Sequence, residues 1–134
     1  MNINEICTDI IADVNFAVGC AVIDLNSGLL VGIAHKAPYF SQSNLDAAAV
    51  AAVEMFRGRT VMAVEQMISR MRGREEYLMI EEIQMTTKNT YHFMAVIAEK
   101  PNNMVILVTT KQINLGMGWS TLRTALPKLA PFCS

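Results

Sequence analysis

The chain has 134 residues, 52% of them hydrophobic, with 11 basic against 12 acidic side chains and a formal net charge of −1. That length suits a single domain over residues 1–134 with a core of its own, and the balanced charge, with no basic stripe, argues against a nucleic-acid partner. No apolar run reaches the roughly 20 residues of a membrane span, and MNINEICTDI lacks the positive start and apolar block of a signal peptide, so no membrane association and a cytoplasmic location are expected.

Residues 2–14 are predicted to form a helix. Asn2 and Glu5 have the spacing of a capping box, and Ile3, Ile6, Ile10 and Val14 recur along one stripe. Next, FAVGCAVID (16–24) and LLVGIAHK (29–36) flank Leu25-Asn26-Ser27-Gly28, which reads as a β-hairpin with Gly28 supplying a positive φ. Both strands are apolar on both faces, so helices should cover both sides of their sheet. Gly19 and Gly32 lie mid-strand, where a neighbouring element can approach closely.

Ser43 and Asp46 resemble a second capping box, opening a long helix over 44–72 with a bend expected at Gly58 and a C-cap at Gly73. Its first half is rich in alanine, and Ala47, Ala48, Ala51 and Ala52 would permit close helix–helix contact. Three strands follow at 76–87, 90–99 and 103–111, joined by tight turns at Lys88-Asn89 and Pro101-Asn102-Asn103. Glu81 and Glu82 mark the first of these as a sheet edge, while the other two should be central. A last helix is expected over 113–129 on the stripe Leu115, Trp119, Leu122, Leu126 and Leu129, with Pro127 ending or kinking it. The order is α-β-β-α-β-β-β-α, a five-stranded sheet with helices on both faces.

Catalytic chemistry finds little support. Cys7, Cys20 and Cys133 form no C-x-x-C pair and are expected to be buried, reduced thiols. His35 and His92 are far apart in strand-like runs, so no metal site is expected. His92 should be a packed, hydrogen-bonded histidine rather than a general base. Glu81 and Glu82 point to opposite faces of a strand and cannot flank one bond. The stretch NLGMGWSTL (114–122) follows a strand and opens a helix, as a dinucleotide-binding turn does. Such a turn needs a third glycine, where Thr121 stands, and an acidic residue about 20 positions on, whereas none follows Glu99. Gly116 and Gly118 should instead let the last helix pack close against the sheet. No cofactor is expected.

The apolar share, above the usual ~45–50%, and the 10 methionines point to a surface buried against another chain. Taken with the run from Gly19 to Gly28 (GCAVIDLNSG), the alanine-rich helix and the run from Asn114 to Arg123 (NLGMGWSTLR), the chain resembles the Roadblock family, named for a dynein light chain and common in bacteria and archaea. The resemblance covers nearly the whole chain and implies a profilin-like α/β/α sandwich with a five-stranded antiparallel sheet. It implies no enzymatic activity, and a homodimer or heterodimer, of which a homodimer is expected here. The second helix (44–72) would pack against its mate, and the third strand (76–87) would pair edge to edge. On those elements the candidate dimer and partner interface is Ala47, Ala48, Ala51, Ala52, Met55, Arg57, Arg59, Met62, Met79, Glu81 and Ile83. Bacterial relatives of this type often regulate Ras-like small GTPases, so a GTPase is the implied partner, with Arg57 and Arg59 as candidate contacts. A scaffold subunit of a motor or signalling complex and a small-molecule sensor are the alternatives. Glu81 and Glu82 sit awkwardly with strand pairing, because like charges would meet across it.

Overall fold

A computed structural model describes residues 1–36, 41–75 and 78–134. The first helix, α1 (Ile3–Asp13), is closed by the expected box: Asn2 Oδ1 accepts the Glu5 N–H at 2.9 Å, and the Glu5 carboxylate reaches back to the Asn2 N–H. The hairpin follows as β1 (Ala17–Asp24) and β2 (Leu30–His35). Its turn is organised by Asp24, whose Oδ1 accepts the Asn26 N–H at 2.8 Å, and by Gly28 at φ +75°.

The long helix is broken rather than bent. It forms α2 (Gln42–Arg57) and α3 (Arg59–Arg72), with Gly58 extended between them at φ −64°, ψ 162°. A Cβ on Gly58 would run into the Glu54 carbonyl oxygen, so this sharp break suits glycine alone. The N-cap of α2 is Ser41, whose Oγ accepts the Asn44 N–H at 3.2 Å, so the predicted box at Ser43 and Asp46 lies inside the helix. Gly73 caps α3 in the left-handed conformation, as expected.

Of the predicted strand 76–87, only β3 (Glu82–Thr86) is extended and paired as a strand. Residues 76 and 77 lie outside the described residues. Leu78 has φ +55°, a left-handed conformation that no strand can continue through. The two remaining strands are β4 (Thr90–Val96) and β5 (Asn103–Thr110), and the last helix, α4 (Leu115–Leu129), runs through Pro127 without stopping and passes into a 3-10 turn at Ala130–Phe132.

The strands form one antiparallel sheet in the order β2-β1-β5-β4-β3. β3 is an edge and β4 and β5 are interior, as their charge and hydropathy implied. β2 is the other edge, and it is half-buried rather than fully covered. The register alternates two cores. Cys20, Val22, Phe93, Ala95, Val105 and Leu107 face α1 and α4, while Ile23, Met94 and Met104 face α2 with Ala49, Ala52 and Phe56. Ile3 of α1 lies so close over β2 that a Cβ on Gly32 would stand 2.9 Å from its side chain, which is the approach that mid-strand glycine foreshadowed. The result is a five-stranded α/β sandwich with helices on both faces.

Candidate functional site

The buried stripe of α2 is Ala49, Ala52 and Phe56, at i, i+3 and i+7, pressed on the sheet. Ala47 and Ala51 fall on the opposite side and Ala48 on the flank, and all three are exposed. Ala52 is only 1% exposed, so it belongs to the core of its own chain and not to an outer contact face, a correction to the sequence reading. Met55 is half-buried against the same core.

Arg57 also departs from expectation. Its guanidinium is committed within the chain. Nη1 donates to Asn26 Oδ1 and Asn102 Oδ1, each at 3.1 Å, and Nη2 donates to the Pro101 carbonyl at 2.6 Å. The last turn of α2 thereby ties together the β1–β2 and β4–β5 turns. Two residues on, across the break at Gly58, Arg59 opens α3 and is exposed.

Along α3, Val64, Met67 and Met71 are 47%, 58% and 80% exposed and form one stripe at i, i+3 and i+7. Beyond the helix Leu78 and Met79 are also exposed, while Met62 is half-buried. One polar group anchors this region. Glu65 is 5% exposed, and its Oε2 accepts the Met79 N–H at 2.6 Å, while Oε1 has no hydrogen-bond partner among the described residues. That bond ties α3 to the segment leading into β3.

On β3, Ile83 and Met85 face the α2 side, and Glu82 and Gln84 face α4. Arg123 of α4 holds the Glu82 carboxylate with two hydrogen bonds of 2.8 Å and stacks over Trp119, 5.1 Å from its ring centroid. The hydrogen bonds from Arg123 hold the Glu82 carboxyl below its ordinary range, against a smaller upward push from burial. Trp119 Nε1 donates to Gln84 Oε1 at 2.9 Å, and the indole meets Phe93 edge-on at 5.3 Å. Glu82 thus carries its own counterion, and the like-charge conflict expected at this edge falls to Glu81 alone, which is exposed and lies just before the strand.

The glycine pair of NLGMGWSTL divides. Asn114 caps α4 through the Met117 N–H at 3.2 Å. Gly118 lies on Phe93, where a Cβ would stand 2.6 Å from ring carbon Cε2, whereas Gly116 is exposed. Only Gly118 makes the close approach to the sheet.

The residues weighed for catalysis are kept apart. Cys7 and Cys20 lie in the α1/α4 core, where the neighbouring Cys7 thiol, with burial, pushes the Cys20 thiol well up. His92 pairs across β5 with the row of Gly19, so it stands on the opposite face of the sheet from Cys20. Its Nε2 lies 2.9 Å from Thr90 Oγ1, and burial lowers its basicity. Among the described residues, no group of His, Cys, Asp or Glu has the geometry of a metal site, and no helix is long and apolar enough to cross a membrane. The sequence pattern pointed to Arg59, Met62, Met79 and Ile83, and it missed Glu65, Arg123 and the exposed stripe of α3. The spacing of Val64, Met67 and Met71 was visible, but which way that stripe faces was not.

No protein-family profile matches the chain, and no curated protein matches it. Solved structures do. A Roadblock/LC7 domain from Streptomyces avermitilis superposes with a TM-score of 0.69 at 8% identity, over 98% of each chain. MglB of Myxococcus xanthus superposes with a TM-score of 0.68 at 16% identity, over 95% of this chain and 90% of that one. The gliding protein mglB from Thermus thermophilus gives a TM-score of 0.68 at 14% identity, over 98% of this chain and 90% of that one. At such identities the likeness is one of architecture, and over nearly its whole length this chain has the Roadblock fold.

Proposed function

We propose that the chain is a non-catalytic regulatory module that works as a homodimer and acts on a Ras-like small GTPase. The observation that carries this reading is the uncovered surface made by the α3 stripe, Met79 and the open edge of β3. An open edge offers unpaired backbone donors and acceptors, and exposed apolar side chains beside it add a contact area. A second copy would pair its β3 with this one and lay its helices beside Ala47, Ala48 and Ala51. Ile83, Met62 and Met55 would complete the seam between copies. Arg123, by neutralising Glu82, removes one of the two charges that would oppose such pairing. The GTPase as partner rests on the resemblance of the chain to Roadblock regulators, and Arg59, exposed at the start of α3, is the cation proposed to meet it.

The test is to purify the chain, measure its oligomeric state by light scattering, and add it in excess to the Ras-like GTPase of its own cell. A stable complex with altered GTP hydrolysis or nucleotide exchange is expected. A complex with unaltered rates would leave the scaffold role in its place, and no complex at all would overturn the reading.

A further inference from the structure

A cavity of about 140 Å³ lies under the N-terminal half of α2, on the β1–β2 side of the sheet. Its origin is legible in the residues. The cross-strand row His35–Gly19–Val108–His92 passes beneath α2 with no side chain at Gly19. Above it, α2 presents Ala48 and Ala49, which are too short to fill the space. The walls are hydrocarbon, chiefly Ile33, Leu45 and Val108, and polar atoms enter from Asn44, His35 and His92. His92 lines the space with its imidazole, whose Nε2 lies 2.9 Å from Thr90 Oγ1.

Two physical arguments select the occupant. An apolar cavity of about 150 Å³ accepts benzene, so this pocket, partly open to solvent, has the volume of a single six-membered ring. A charged ligand would lose its hydration against hydrocarbon walls without gaining a counterion. Burial also keeps the His92 imidazole neutral, so it offers a hydrogen bond and no charge. We propose that this cavity binds a small, neutral single-ring compound bearing one hydrogen-bonding group, which meets Asn44 and His92 while the ring fills the space over Gly19. The cavity lies toward the opposite edge of the sheet from β3, and ligand binding is read without the GTPase, so its failure is distinguishable from failure of the dimer and GTPase reading.

Phenol and benzene are suitable probes. Phenol is expected to shift the methyl NMR signals of Ile33, Ala21 and Ala48 saturably and to raise the thermal midpoint progressively with its concentration. Benzene should bind more weakly than phenol, and His92→Leu should remove that preference. Gly19→Val fills the cavity on a strand position without positive φ, and it should abolish both responses while the fold, read by circular dichroism, persists. Ala21→Val serves the same purpose if the first variant does not fold. Absence of saturable shifts with either probe, or identical shifts in a folded cavity-filled variant, would overturn the proposal.

Discussion

Arg123 and Glu82, 41 residues apart in sequence, are joined by two parallel hydrogen bonds of 2.8 Å that fasten α4 to the edge strand β3. The pair makes a pH prediction. Arg123 lowers the Glu82 pKa in the folded state, so its stabilisation is present above the ordinary carboxyl value of 4.5 and is lost as pH falls through the lowered folded value. The effect is small because water reaches both partners. Glu82→Gln should flatten this acid limb in urea midpoints recorded against pH, and an unchanged limb would count against the pair as its source.

His92 titrates in a separate window. Burial lowers its folded pKa, so the unfolded chain takes the proton first. The stabilisation is complete above the ordinary value of 6.5 and is lost as pH falls from there to the lowered folded value, below which no further loss follows. His92→Gln should remove the slope just below pH 6.5 and leave the Glu82 limb intact, as read from the same urea series.

Gly118 and Gly116 should respond differently to alanine. A Cβ at Gly118 would stand 2.6 Å from Cε2 of the fully buried Phe93. Gly118→Ala is therefore expected to cost about 1–3 kcal/mol through overpacking. At Gly116 a Cβ would meet only Asn114 Oδ1, at 3.2 Å, and Gly116→Ala should stay within about 1 kcal/mol of the parent. Chemical denaturation of both variants gives the comparison, and equal effects would refute the packing account.

The two arginines flanking Gly58 separate structure from function. Arg57→Ala releases three hydrogen bonds that hold two turns, and should cost about 1.5–3 kcal/mol. Arg59→Ala should change stability by no more than about 0.5 kcal/mol yet, on the proposed function, weaken association with a Ras-like GTPase. Denaturant midpoints and a binding titration on both variants test this, and equal loss of binding in folded proteins would move the contact to Arg57.

Gly58→Ala should straighten the helical layer. A Cβ in the observed conformation would collide with the Glu54 carbonyl, whereas helical dihedrals remove the clash. NMR secondary shifts should then turn helical across residues 57–59. Extended shifts at position 58 in the variant would refute this account of the break.

Much of the architecture was legible because it rests on chemistry confined to a few neighbouring residues. Asn2 and Glu5 lie one helical turn apart, Asp24 to Gly28 close their own turn, and the stripe of α4 repeats at helical spacing. Glu81 and Glu82 marked an edge because charge is costly between two paired strands. The shortening of β3 was not legible. EYLMIEEIQMTT reads as one strand, and nothing local announces that Leu78 turns left-handed beside the Glu65–Met79 contact. Arg57 likewise read as a surface cation, since its acceptors on Asn26, Asn102 and Pro101 converge on it only once two distant turns meet.

The sequence by itself therefore determined the N-cap of α1 and the C-cap at Gly73, the turns, the number and order of strands, and the resemblance that names the fold. The tertiary structure decided which alanines face outward, which arginine is occupied, how Glu82 is neutralised, and that Gly19 opens a cavity beneath α2. Those outcomes depend on cross-strand register and on helix–sheet packing between residues tens of positions apart, and short-range periodicity carries no record of either.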